Sequence, residues 1–362
     1  MHHYTYRHPP LCVLQFLQIA DTERGIFMSA SDIKRKALQL GFDSCGIIPA
    51  IVFDEYKQYL DERAQTFPES KELYDNFHSF ATPPGSAKSI IVCLERLGNY
   101  KIPDSLNGLI GKNYQFDSRV VSYSYEQRAR AEFMAYLKLA GCNVLEYVPP
   151  SRWAAAKAGL GKFGHNNFIY SPEHGSYVRI AAWAVDKELE YDMVPEELVL
   201  PECSNCQKCV RACPVNALSD SLSMDMSKCI SYRLHSSEDI LDNEVCSQLG
   251  RWIYGCDICQ DICPVNKGKL TGDKDFPLLA EFEEYLQPEN LLTMSEDVFN
   301  NIVNPRFPYI SKDDIWRWRC NALRSMINSG NEEYHRIILE QREHEDERVR
   351  EIAKWGCRVL GL

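Results

Sequence analysis

Cys203, Cys206, Cys209 and Cys213, with Pro214 directly after the fourth, form the run C-x2-C-x2-C-x3-C-P. A looser set follows: Cys229, then Cys256, Cys259 and Cys263, the last again followed by a proline, Pro264. Eight thiolates fill two [4Fe-4S] clusters at four ligands each, and in two-cluster proteins the proline-flanked cysteine of a run ligates the other cluster. Three cysteines on one tight loop can cap three irons of a cube but cannot reach round to the fourth. The spacing therefore assigns Cys203, Cys206, Cys209 and Cys263 to one cluster and Cys213, Cys229, Cys256 and Cys259 to the other. Zinc is the rival for C-x2-C pairs, but a tetrahedral ion has no use for a third cysteine at x2 and a fourth before proline. A disulfide framework needs an oxidising compartment, and no secretory signal accompanies these cysteines.

The remaining cysteines (Cys12, Cys45, Cys93, Cys142, Cys246, Cys320, Cys357) are scattered through mostly apolar runs, where a thiol acts as a small buried hydrophobe. This is a reducing-compartment pattern. A chain of 362 residues with 45% hydrophobic and 25% charged residues has the material for two or three folded units. Its net charge of -11 argues against a protein that chiefly grips phosphate backbones. The apolar run Leu11 to Ala20 is too short to span a bilayer and lacks a small-residue cleavage site, so a cytoplasmic protein is expected. Residues 1–27 read as an extension, with Met28 a candidate start.

The elements that must hold the cysteines lie on both sides of them. Ser31 and Asp32 are expected to cap a helix bearing Ile33, Ala37 and Leu40 on one face, stopped by Gly41. Cys45 to Ile48, Ser89 to Leu94, Cys142 to Tyr147 and Tyr177 to Val185 read as strands. Residues 51–80, Glu126 to Ala140 and Arg152 to Ala158 read as helices, and 98–120 as a long loop of the kind that often carries function. The alternation gives an α/β (α+β) domain over 28–200, a two-cluster domain over 201–270 and a helical tail over 271–362. In the tail, Asp313 to Asn328, Tyr334 to Gln341 and Arg348 to Leu360 carry apolar faces, suggesting a small helical-repeat array. From Lys312 to the end ten Lys and Arg balance ten Asp and Glu, which permits an RNA-facing surface.

Gly159, Gly161 and Gly164 spell G-x-G-x-x-G, but a helix precedes and a loop follows, the reverse of a dinucleotide site. Glycines so spaced let a flat ligand approach the backbone.

Taken together, several segments resemble the epoxyqueuosine reductase family, cobalamin-dependent iron-sulfur enzymes of tRNA modification, and more distantly reductive dehalogenases. They are Ala158-Gly159-Leu160-Gly161 leading to Gly164, Ser171-Pro172-Glu173-His174-Gly175, the first cysteine run, Cys229-Ile230-Ser231-Tyr232, and Tyr254 through Cys259 to Cys263-Pro264. The resemblance implies a nitroreductase-like domain binding a corrinoid without an axial protein ligand, two clusters that reduce it, and a HEAT-like tail. It also implies an external electron donor of ferredoxin or flavodoxin type and tRNA as a possible partner.

Departures from the family pattern bear on the acid. The family's aspartate donor is absent, and Glu146-Tyr147-Val148-Pro149-Pro150 stands in its place. Tyr125, in Tyr123-Ser124-Tyr125, replaces a family cysteine found near the cofactor, and His165 stands where the family has a lysine or arginine after the last glycine. Tyr125 with His165, and Glu146 as a third, are the candidate acids, since an imidazolium lowers a neighbouring phenol usefully. Gly159, Gly161, Gly164 and His165 are the candidate corrinoid contacts. Three functions compete: epoxyqueuosine reduction on tRNA, reductive dehalogenation or a related small-molecule reduction, and electron carriage without a corrinoid.

Overall fold

A computed structural model describes residues 28–117, 121, 124–219, 222–237, 239–277 and 279–362. The N-terminal extension and Cys12 lie outside them, as does Tyr123. The first helix, α1 (Ala30–Gln39), is capped by Ser29. Its side chain accepts from Asp32 N–H at 3.2 Å, while Asp32 accepts from Ser29 N–H at 2.9 Å. That reciprocal box needs a three-residue spacing, so the cap falls two residues before Ser31, and Asp32 sits inside the first turn.

Strands β1 (Ser44–Pro49) and β2 (Ser89–Arg96) pair antiparallel, and β2 is central in the three-stranded order β1-β2-β5 with β5 (Val178–Val185). Ile47 faces Ile91, and Ile91 faces Trp183. Because successive side chains alternate, Ile91 and Cys93 point to one face, Ile90, Val92 and Leu94 to the other, and both are covered. α1 and α5 (Tyr125–Leu139) cover the first, with Phe133 at 5.2 Å from Trp183 ring to ring. α6 (Ser151–Lys157) covers the second through Ala154, Ala155 and Ala156, small enough for the helix to lie close on the sheet. The sheet is antiparallel, which makes the domain α+β. The expected strand Cys142 to Tyr147 is reduced to one bridge, Val144 to Val185, beside the Leu145 N–H bond to Ala184. Pro149 and Pro150 follow, and proline has no N–H to extend a ladder.

The expected helical stretch 51–80 divides into α2 (Asp54–Thr66) and α3 (Lys71–Phe77), broken at Pro68. The described part of the long loop after β2 holds a 3-10 turn at Asp104–Leu106 and the short α4 (Lys112–Gln115), and Leu106, Leu109, Ile110 and Phe116 are buried in one apolar core with the cysteine region and the tail. The tail is thus seated on the rest of the chain, not strung behind it.

The cysteine region contributes α7 (Lys208–Ala212), α8 (Ile230–Ser236), α9 (Asn243–Gln248) and α10 (Ile258–Asp261). The tail follows with α11 (Leu279–Glu283), α12 (Pro288–Thr293), α13 (Glu296–Val298), α14 (Ile315–Ser329), α15 (His335–Glu340) and α16 (Glu347–Leu360). α14 is buried nearly all round, and even its Arg324 is enclosed, bonded to Asn321 and the Trp252 carbonyl. α16 crosses it at Gly356, where any Cβ would strike Ile327. Cys93, Cys142, Cys246, Cys320 and Cys357 are all buried, and Cys45 lies opposite Cys93. Among the described residues no helix is long and apolar enough to cross a membrane.

Candidate functional site

The eight motif cysteines fall into two groups of four thiols near enough to perturb one another. Cys203 feels Cys206 and Cys263, and Cys209 feels Cys203 and Cys263. Cys256 feels Cys229 and Cys213, and Cys259 feels Cys256 and Cys229. Cys259 also feels Cys209, so the groups adjoin. These perturbations link Cys203, Cys206, Cys209 and Cys263 in one series and Cys213, Cys229, Cys256 and Cys259 in another. Burial raises the thiols, Cys209 to about 11 and Cys229, Cys256 and Cys259 upward as well. Cationic iron reverses that cost by taking the proton's place.

Backbone donors turn toward the sulfurs. Val210 serves Cys209, Ser231 and Tyr232 serve Cys229, Ile258 serves Cys256, and Ala217 N–H lies 3.4 Å from Cys213 Sγ. Such N–H···S bonds are among the features that set a cluster's potential. Among the described residues no three His, Cys, Asp or Glu converge on one metal ion. Cys213, Cys229, Cys256 and Cys259 line one space, and the chemistry of four thiols with amide donors beside them suits an iron-sulfur cluster.

The glycine run positions the hairpin β3 (Lys162–Phe163) and β4 (Ile169–Tyr170) against both groups. A Cβ on Gly161 would lie 2.6 Å from Ile169 Cγ2, and one on Gly164 would strike the Tyr170 ring. These glycines are filled by the chain's own hairpin, which is why they carry no side chain. From it His165 offers its backbone N–H to Cys203. Asn166 donates to the Cys259 carbonyl at 2.9 Å, and the Tyr170 hydroxyl sits at Cys263. The next turn, Ser171 to Gly175, closes on itself, and Ser176 N–H donates to Asn266 Oδ1 at 2.8 Å.

One cavity opens on the second thiol group and a second lies beside it, the two sharing Arg152, Met224 and Met226 in their linings. One, about 440 Å3, is lined by Cys213, Cys229, Cys256 and Cys259 together with Tyr114, His235 and Tyr309. No cysteine of the first group lines it. His235 lies 4.1 Å from the Tyr254 ring and stacks on Tyr309 at 5.7 Å. Burial, and then the Arg317 cation, pull its imidazole down to about 3. Below the cavity Lys112 Nζ lies 2.8 Å from Asp261 and 3.4 Å from Asp257, and burial holds Asp257 at about 6 against that pull. The other cavity, about 420 Å3, lies between α2, α3 and the start of α6, and is walled by Tyr56, Tyr59, Phe77, Phe80 and Trp153. Flat apolar walls of this kind suit a broad planar ligand.

The proposed acids are not gathered here. Tyr125 opens α5, is 54% exposed, and lays its ring over Gly41. His165 is at the first thiol group, its Nδ1 buried without a hydrogen-bond partner. Glu146 is exposed on the stretch beside β5. None of the three lines either cavity. The residues that do line them, Arg63, Tyr114, Arg152 and His235, carried little signal in the chain. Only Tyr114 lay in a segment marked out by its length, and Arg152 by being a lone cation before an alanine run.

Residues 202–266 match the family described as a 4Fe-4S double cluster binding domain. Over 311 residues the chain is 30% identical to an epoxyqueuosine reductase of Bacillus cereus, covering 82% of this chain and 78% of the other. It is 29% identical over 315 residues to that of Leadbetterella byssophila, covering 82% and 97%. In fold it is similar to epoxyqueuosine reductase from Bacillus subtilis, solved with its catalytic loop swung out of the active site. There the TM-score is 0.72 at 23% identity, over 90% of this chain and 88% of that one. A second structure, of epoxyqueuosine reductase with an epoxyqueuosine-modified tRNA-Tyr stem loop, gives 0.72 at 22% identity, over 92% and 90%. Similarity at this level along most of both chains, with the double-cluster segment in place, makes this chain a member of the epoxyqueuosine reductase family, an iron-sulfur oxidoreductase.

Proposed function

We propose that the chain is a corrinoid-dependent reductase in which Cys203, Cys206, Cys209 and Cys263 hold the electron-receiving cluster and Cys213, Cys229, Cys256 and Cys259 the electron-delivering one. One observation carries this reading: all four thiols of the second group, and none of the first, line the cavity. The first group's loop is flanked by exposed Glu202, Ser204, Asn205 and Lys208, where an external donor of ferredoxin or flavodoxin type can dock. A corrinoid in the joined cavities would supply a cobalt centre reducible by a low-potential cluster and reactive toward carbon. Tyr114 and His235 face that space, and neutral His235 adds no charge to it.

Family membership supports epoxyqueuosine in tRNA as the substrate, with the α14 to α16 tail, read as HEAT-like, offering the RNA surface. The sheet domain is then the nitroreductase-like corrinoid unit, and the reaction cytoplasmic, where thiols stay reduced. The missing aspartate, with exposed Glu146 near its place, favours a second reading as a small-molecule reductase. Anaerobic protein with a reductant should convert epoxyqueuosine tRNA to queuosine tRNA. Halide release from aryl halides, with tRNA untouched, would select the second reading, and intact clusters without cobalamin binding would leave an electron carrier.

A further inference from the structure

The cavity beside α2 and α6 is lined by two arginines, Arg63 and Arg152, and by no carboxylate. Arg63 donates only to neutral acceptors: Tyr59 Oη at 2.6 Å, Asn167 Oδ1 and the Leu222 carbonyl. Its Nε is buried with no hydrogen-bond partner, and so is Nδ2 of Asn167, a residue only 5% exposed that lines the same cavity. Arg152 rests its guanidinium on the Phe168 ring at 5.1 Å, and no hydrogen bond or ion pair engages it among the described residues. Nearby acids are engaged elsewhere. Lys157 holds Glu55 at 2.8 Å, Ser70, Ser227 and Lys228 hold Asp225, and Lys112 holds Asp257.

A half-buried Arg63 and an exposed Arg152 on one cavity, with two buried and unpartnered N–H donors on Arg63 and Asn167 and no carboxylate in the lining, are an arrangement that an anion completes. We infer that this cavity binds the phosphate or carboxylate of a small ligand through Arg63, Arg152 and Asn167, with the ligand's flat body between Tyr56, Phe80 and Trp153. The anion comes either from an acidic organic substrate or from the phosphate in the nucleotide loop of the corrinoid. Only the second source rests on the corrinoid reading.

Phenyl phosphate and phenol, titrated calorimetrically into anaerobic cluster-loaded protein free of corrinoid, test the anion site by itself. Phenyl phosphate should bind and phenol should bind at least tenfold more weakly, with R63Q and R152Q each costing phenyl phosphate roughly tenfold or more. R152K keeps the charge and should recover part of the loss, and unchanged iron content shows that the variants are folded. Cobalamin and cobinamide, which lacks the nucleotide loop, then separate the sources. A loss in R152Q confined to cobalamin assigns the anion to the cofactor, and equal binding of both corrinoids in R152Q and wild type assigns it to the substrate. Should wild type bind neither corrinoid, the corrinoid reading fails while the phenyl phosphate result stands. Phenyl phosphate bound no better than phenol, or bound equally by wild type, R63Q and R152Q, overturns the inference.

Discussion

The two thiol groups are built from the same C-x2-C chemistry but meet different surroundings. The Cys203 group sits under a surface loop and is closed from behind by the hairpin, through His165 and Tyr170. The Cys213 group opens on a cavity walled by Tyr114, His235, Tyr309 and Arg152. Since exposure and hydrogen bonding tune cluster potential, identical ligands in these two settings would suit the different tasks proposed for them, reception and delivery.

Removing one ligand from each group separates these tasks with the largest expected effect. Cys259→Ala should lower iron by about four per chain and abolish turnover. Cys206→Ala should lose a similar amount of iron but leave a cavity-side cluster that a small chemical reductant can still feed. Equal loss of corrinoid reduction in both variants under that reductant would break the division of labour. Gly161→Ala acts on both groups at once, because its Cβ must displace Ile169 and the Tyr170 carbonyl behind the hairpin. Overpacking of this sort costs about 1–3 kcal/mol. Thermal unfolding should show the loss, with both clusters retained less well, and retention of one alone would mean the hairpin supports a single group.

How much of this was readable beforehand follows from what spacing can encode. Cluster ligands are fixed by short covalent intervals and by the flanking Pro214 and Pro264, so their grouping is legible. The helices over 125–139 and 151–157 and the strands around Ile91 and Ala181 are legible too, because periodicity reports burial. The capping box at Ser29 was displaced by two residues because Ser31 competes as a plausible cap. The glycine run is ambiguous in sequence, since a glycine emptied for the chain's own Ile169 reads the same as one emptied for a cofactor. Tyr125 and His165 were paired by analogy, whereas α5 points one to Gly41 and the hairpin carries the other to Cys203. Arg63 and Arg152 lie on different helices and meet only through the tertiary fold.

His235 belongs to the cavity side alone and gives a smaller effect. Its folded value of about 3 lies below the ordinary one. Between pH 6.5 and that value the unfolded chain takes up a proton which the folded chain refuses. Stability from this group is therefore full above pH 6.5 and falls as pH drops, by ~1.4 kcal/mol at pH 5.5. Melting of His235→Gln and wild type at pH 7.5 and 5.5 should show the smaller drop in the variant, and parallel drops would place the histidine's titration elsewhere. Smallest of all is Tyr125→Phe, a residue touching neither group, which should leave turnover within about twofold of wild type. A slowdown of tenfold or more with iron content unchanged would return Tyr125 to the reaction.

Iron and acid-labile sulfide content of anaerobically prepared protein, read together with the electron paramagnetic resonance spectrum of its dithionite-reduced form, tests the central claim most directly. Two adjoining cubes with crossed ligands should give about eight irons and eight sulfides per chain and a spectrum broadened by coupling between the two centres. Four irons or fewer with a simple, uncoupled signal, or stoichiometric zinc without sulfide, would contradict it.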